Sequence, residues 1–255
     1  MTFDLTTKNW QLPSTYVKTN NSPCGLWEIP NKVNWAVDSG EVVLLISQAG
    51  VVGSSTFVDT AKNKIITPTN ATWSNNKLLF GKPTIYCNSG YLRIDDVADY
   101  NFNTGQQFCI EFYFIPVGSA YCSLLGREST AVGTQQNIMN LSHDYATGSN
   151  LYAQGILSVL STVTVPYILN SRWSHIAITR DSSGLIRFFA NGSLVKSGIN
   201  SAGISSSYPL FFGAAGGYSN NSYPSSTGYF AEIRIVKGNP VYTSNFTVMN
   251  TAFIS

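Results

Sequence analysis

WSHIAITRDSSGLIRFFANGSLV, residues 173–195, reads as three antiparallel strands in series. Trp173 to Arg180 alternates, with Ile176 and Ile178 on one face and Trp173, His175, Ala177 and Thr179 on the other. Asp181-Ser182-Ser183-Gly184 is a turn, because Asp closes an Asx-type hydrogen bond and Gly accepts positive φ. Leu185 to Ala190 returns. Asn191-Gly192 is a strong signal for a type I′ hairpin, and Ser193-Leu194-Val195 begins the third strand. His175 is one of two histidines in the chain. With no second histidine or cysteine nearby, it reads as a packed or surface strand residue. Arg180, Asp181 and Arg187 read as charges decorating the scaffold.

The same pattern extends outward in both directions. Short apolar and β-branched runs bounded by Gly, Asn, Ser or Pro recur: EVVLLIS at 41–47, LLFGKPTIYC at 78–87, FCIEFYFIP at 108–116, ILSVLSTVTV at 156–165, YPLFFGAA and GYFAEIRIV. Strands at this spacing with turn signals between them predict an all-β sandwich or barrel. Phe108, Ile110, Phe112 and Phe114 alternate as a buried sandwich face requires. Glu232 and Arg234 share a face of the last strand, where an ion pair or a bond to a loop is the expected role. A chain of 255 residues buries a sizeable core without disulfides.

Composition excludes some functions. The net charge is +2 with no basic or acidic block, so no nucleic acid or anionic membrane is expected as partner. Charged residues are 11% of the chain, against about a quarter in ordinary domains, which leaves a polar surface that associates easily. No apolar run reaches membrane-spanning length, so no membrane insertion is expected. The opening residues, MTFDLTTKNWQLPSTYVK, lack the plan of a signal peptide. Cys24, Cys87, Cys109 and Cys122 match no zinc spacing and read as reduced, half-buried thiols. Asn-X-Ser/Thr sites occur at about chance frequency for this composition and carry no weight.

WSHIAITRDSSGLIRFFANGSLV, followed by LFFGAA and GYFAEIRIVKGNPVYTSNFTV, resembles the laminin-G-like branch of the concanavalin A-like lectin/glucanase superfamily, in the version common in bacteriophage virion proteins. Upstream, VVLLIS, STFVDTAKNKIIT and FGKPTIYCNSGYLRIDDVADYNFNTGQQFCIEFYFIP continue the likeness, which runs from about Glu41 to Val248. No single motif is specific; their order and number are. The resemblance implies two antiparallel sheets packed as a jelly roll, with a groove or loop rim for ligands. It divides the chain into an N-terminal arm, 1–40, and a jelly-roll domain, 41–255.

The resemblance also frames the candidate sites. Glucanases of the superfamily carry two or three carboxylates on one strand face, as glycoside hydrolysis needs. No such set is found here: Asp95, Asp96 and Asp99 fall in a loop after a strand, and Glu111 aligns with a structural Glu. Two isolated histidines build no catalytic triad. A structural calcium is implied by an early Asp, matched by Asp59, and a late one, but Ala231 stands at the late position and offers no oxygen. Calcium takes about six to eight oxygens, so the set is short of ligands, and no other cofactor is expected.

For glycan, the best candidate is the loop Gly213–Gly228, with Tyr218 and Tyr223 as stacking faces and Asn220 and Asn221 as amide partners. A second loop, Ser142–Asn150, adds His143, Asp144 and Tyr145. Both loops are equally suited to packing on neighbouring strands or subunits. The arm holds Trp10, Trp27 and Trp35, which argues for order and for either a cover on the domain or an anchoring segment.

The expected function is non-enzymatic. The resemblance implies a virion surface protein, a capsid decoration, fibre or tail-associated subunit, presenting a lectin-like adhesion domain. It would assemble in the host cytoplasm, with other virion proteins or further copies of itself as partners and host-surface glycan as ligand. A free carbohydrate-binding lectin is the alternative, and a glycan-processing enzyme stands third.

Overall fold

The computed structural model describes residues 40–47, 50–95, 98–117, 121–128, 137–144, 150–161, 163–164, 172–215 and 225–253, together with four short strands before residue 40. For those four strands, and for strand positions 121, 128, 137, 138, 140, 143, 144, 150, 151, 163 and 164, it describes the backbone alone. The chain divides into two compact units at residues 36 and 37. In the first, β1 (Thr2–Asp4) pairs with β2 (Asn9–Gln11), and β3 (Val17–Lys18) with β4 (Trp27–Glu28), both antiparallel.

The second unit is one continuous antiparallel sheet, curled into a two-layered sandwich of the jelly-roll kind. Its strands are β5 (Glu41–Ile46), β6 (Ile66–Leu79), β7 (Lys82–Ile94), β8 (Phe108–Pro116), β9 (Tyr121–Glu128), β10 (Asn137–Asp144), β11 (Asn150–Gly155), β12 (Val163–Thr164), β13 (Ser174–Arg180), β14 (Leu185–Ala190), β15 (Ser193–Ile199), β16 (Leu210–Phe212) and β17 (Ser226–Lys237). One layer runs β15-β14-β13-β8-β17; the other runs β16-β9-β10-β11-β12. Long β7 joins them, pairing with β17 through residues 85–90 and with β16 through 92–94.

The opening stretch folds as its residues dictate. β13, β14 and β15 form a meander, Ser183 and Leu185 donate backbone N–H to Asp181 Oδ1, and Asn191 and Gly192 take φ of 50° and 78°. Two other runs differ from expectation. LLFGKPTIYC is a hairpin: Leu79 pairs with Lys82, and Phe80 and Gly81 have φ of 50° and 75°. Phe80 tolerates that turn because its ring packs edge-on against Tyr113, 5.6 Å between centroids. In ILSVLSTVTV, residues 156–160 form a 3-10 turn rather than a strand, which lets Ile156, Leu157 and Leu160 all reach the core.

Phe108, Ile110, Phe112 and Phe114 face the space between the layers. Phe112 meets Phe212 across it at 5.7 Å, and Phe114 lies 4.6 Å from Phe230. The opposite face of β8 is buried as well. Residues 239–253, without regular structure, cross it as a strap. Tyr113 Oη donates to Met249 O and Thr179 Oγ1 to Tyr242 O. The rings of Tyr242 and Phe246 stack at 3.6 Å, and Asn245 Oδ1 accepts the Leu194 N–H. Among the described residues, no helix is long and apolar enough to cross a membrane.

Candidate functional site

Beneath the strap lies a polar cluster centred on Glu111. β8 sets the carboxylate between Ala177 of β13 and Arg234 of β17, its register partners. Arg234 Nε and Nη2 both donate to Oε1, the first at 2.8 Å. His175 Nε2 and Tyr242 Oη each reach Oε2 at 3.0 Å. Glu111 and Arg234 are fully buried and His175 is 1% exposed. Burial pushes the Glu111 carboxyl up, but the Arg234 charge and the bonds from His175 and Arg234 outweigh it and hold the group below its usual range. The same surroundings, burial foremost and then the Glu111 charge, push the Tyr242 phenol up. Among the described residues His175 Nδ1 has no hydrogen-bond partner.

This cluster corrects the sequence reading of the charges. Arg180 does not decorate a surface: it is fully buried, donates to the carbonyls of Gln106, Asn103 and Ala202, and lies over the Phe108 ring. Arg127 does the same for the carbonyls of Tyr100, Ser206 and Tyr208. Each guanidinium gathers carbonyls that loops cannot pair otherwise, which pins 100–107 and 201–208. Burial lowers the Arg127 guanidinium to about 10. Only Asp181 and Arg187, paired at 2.7 Å beside the turn, match the expected role.

Elsewhere the candidates disperse. Asp59 is fully buried, and its two oxygens accept the N–H groups of Leu45, Ala61, Lys62 and Lys64. Four amides make it the clasp of a turn, and with Ala231 at the late position the donors do not fit calcium. Among the described residues no group of three or more His, Cys, Asp or Glu could hold a metal ion. Asp95 pairs with Arg93 and Asp99 with Lys64. His143 and Asp144 are not in a loop: β10 carries them to its end, because pairing with β9 and β11 continues through Asp144. For His143, Asp144, Trp10 and Trp27 only the backbone is described. Tyr145, Tyr218, Asn220, Asn221, Tyr223, Trp35, Asp96 and Cys24 lie outside the described residues. Cys87, Cys109 and Cys122 are fully rather than half buried.

Sequence reasoning missed a cleft at the end of β5. Ile46, Ser47, Trp73, Lys82, Thr84 and Glu232 line about 250 Å³, counting the part open to solvent. Glu232 sits at φ 49° on a β-bulge, and it and Arg234 both meet Phe253 of the strap, the Arg234 guanidinium 4.4 Å over its ring, in line with the bond to a loop expected from the sequence. Its Oε2 accepts the Phe253 N–H at 2.7 Å. Burial pushes its carboxyl up to about 7, against the opposing pull of that amide, Lys82 and Arg234. A left-handed backbone at a non-glycine residue costs about 1–3 kcal/mol and concentrates at binding sites. Strict alternation in GYFAEIRIV hides such a bulge.

Comparison with known proteins agrees with this architecture. Residues 88–239, more than half of the chain, match the profile of the concanavalin A-like lectin/glucanases superfamily. No curated protein matches the chain by sequence. Among solved structures, the binding domain of Paraclostridial Mosquitocidal Protein 1 aligns with a TM-score of 0.55 and 15% identity, over 78% of this chain and 49% of that one. Domain 4 of AbnA, a GH43 extracellular arabinanase from Geobacillus stearothermophilus solved in complex with arabinotriose, aligns at 0.51 and 15%, over 79% and 94%. Trypanosoma rangeli sialidase aligns at 0.53 and 12%, over 82% and 31%. The chain thus spans about half the length of the first structure and under a third of the last. At these identities the likeness concerns the fold. With a profile match over more than half of its length and a sandwich of the same kind, the chain belongs to the concanavalin A-like lectin/glucanase superfamily.

Proposed function

We propose that this chain is a non-enzymatic adhesion module that presents a lectin-like binding face on the surface of a bacteriophage particle, as a capsid decoration, fibre or tail-associated subunit. The observation that carries the non-enzymatic part is the closure around Glu111. A catalytic carboxylate must reach substrate or water. This one is fully buried, and both its oxygens are held by Arg234, His175 and Tyr242. Binding is the remaining use of the fold. Two structures of the same fold support it, one the binding domain of a mosquitocidal protein and the other an arabinanase domain in complex with arabinotriose.

The ligand is a neutral glycan of the host surface, since a net charge of +2 without charged blocks favours hydrogen bonding over charge attraction. Many copies on one particle turn weak single sites into firm attachment. Residues 1–40 are the anchor that docks the domain onto neighbouring virion proteins or further copies of itself, assembled in the host cytoplasm. The particle setting rests on the order of motifs from Glu41 to Val248. Quantitative mass spectrometry of purified particles tests it. The chain is expected in fixed ratio to the major capsid protein: comparable numbers mean a decoration protein, far fewer a tail or fibre subunit. Its absence from particles overturns the virion setting and leaves a free lectin.

A further inference from the structure

β17 changes its hydrogen-bonded neighbour partway along. Phe230 pairs with Ile85 of β7, whereas Ile233 pairs with Ile46 of β5, so Ala231 and Glu232 lie opposite the seam between two strand ends. The strap ends at this seam, and its two halves are held differently. The near half, residues 239–246, is fixed at several points. Tyr242 donates to Glu111 and accepts from Thr179, and the rings of Tyr242 and Phe246 pack on Phe189. Asn245 takes the Leu194 N–H, and the Phe246 N–H reaches Gly192 O. The far half, residues 247–253, is bonded to the sandwich, among the described residues, by Tyr113 Oη at Met249 O and by the Phe253 N–H at Glu232 Oε2. Phe253 alone of its described residues is buried, with its ring beneath the Arg234 guanidinium. The hold on this half therefore centres on Phe253 and on the carboxyl that accepts its amide.

We propose that Glu232 is a pH-operated latch for the far half of the strap: protonated, it keeps Phe253 closed over the sandwich, and ionised, it favours a locally open strap in which the carboxylate reaches water. Glu232 is 6% exposed with the strap closed, and an anion so enclosed has lost its hydration. The groups that face it are Lys82 of β7, Arg234 of β17, Tyr113 of β8 and the Phe253 amide, while β5 offers only neutral Ser47. His175 of β13 faces the Phe253 ring and bonds Glu111. Burial outweighs the amide and the two cations and pushes the carboxyl up to about 7. An open strap returns it to its ordinary value of 4.5. The closed form thus binds the proton more tightly than the open form. Closure is firmest below 4.5 and weakens as pH rises through about 7. Glu111, held below its usual range, stays ionised across this window, so the near half keeps its anchor and the far half alone opens. Opening uncovers the apolar cluster of Leu45, Tyr113 and Ala231 that Phe253 completes.

Amide hydrogen exchange of the full chain between about pH 4.5 and 8, corrected for the intrinsic pH dependence of exchange, tests this in wild type and E232Q. In wild type the protection of amides 248–253 is expected to fall by roughly a hundredfold over that range, while the amides of β13 keep theirs. E232Q retains an oxygen for the Phe253 N–H but cannot ionise, so its strap should show no step. An unchanging wild-type strap, an equal step in E232Q, or an equal loss of protection in β13 overturns the latch. Where E232Q does not fold, carbon-detected NMR titration of the Glu232 carboxyl in wild type decides. A midpoint near 7 that coincides with the loss of strap protection supports the latch, and one near 4.5 overturns it.

Discussion

Glu111 and Glu232 are both buried carboxyls, yet their surroundings drive them in opposite directions. Glu111 is held below its usual range by Arg234 and His175 against the cost of burial. The unfolded chain therefore binds this proton at higher pH than the folded chain does. The stabilisation is full above the ordinary value of 4.5 and is lost as pH falls through the lower folded value. Glu111→Ala strands Arg234 without a counter-charge and is expected to cost about 3–5 kcal/mol in urea unfolding at neutral pH. Glu232 has the opposite sign. Burial raises it from 4.5 to about 7, so its contribution is full below 4.5 and declines as pH rises through 7. Unfolding midpoints of wild type and Glu232→Gln measured across this window should diverge with rising pH, the variant gaining up to roughly 3 kcal/mol. Burial also pushes the Cys87 thiol up to about 12 and raises Cys109 well above its usual range. Native chain treated with iodoacetamide at pH 8 should yield unmodified Cys87, Cys109 and Cys122 on peptide mapping, and labelling of any of them would contradict their enclosure.

At the scale of elements, what the residues reveal depends on how far away the partner lies. The meander 173–199 and the core face of β8 were legible because period-two alternation and Asn-Gly turns are local signals. The second buried face of β8 was not. Cys109, Glu111 and Tyr113 look like an outer face until the strap, more than a hundred residues later, covers them. The hairpin at Phe80-Gly81 was hidden for a related reason: Phe is a poor turn residue, and Tyr113 supplies the contact that holds it there. Residues 156–160 show the limit of short apolar runs, which suit a strand and a helical turn equally. The loops favoured for glycan binding fall largely outside the described residues, while the seam cleft arises from a change of strand partner that no single segment encodes. The strap also makes a sharp prediction at the hairpin it crosses. A Cβ at Gly192 would lie 2.1 Å from Phe246 O, and φ there is 78°. Gly192→Ala should destabilise the fold by about 1–3 kcal/mol in thermal or urea unfolding, more than an alanine at an open turn.

At the scale of the whole molecule, the second unit carries the sandwich and its core, and the profile match lies entirely within it. Deleting residues 1–38 should therefore leave a folded domain with a cooperative thermal transition that no longer joins particles; loss of the transition would show the arm to be part of the fold. The strap has a further consequence for how the chain comes to be folded. Glu111 finds one of its donors in Tyr242, 131 positions later, and Glu232 accepts its backbone partner from Phe253. A nascent chain stopped before those residues has every strand of the sandwich but carries an open carboxylate and a bare apolar face. Native closure is thus delayed until synthesis has passed Phe253, and incomplete products are marked by a sticky surface that quality control can recognise.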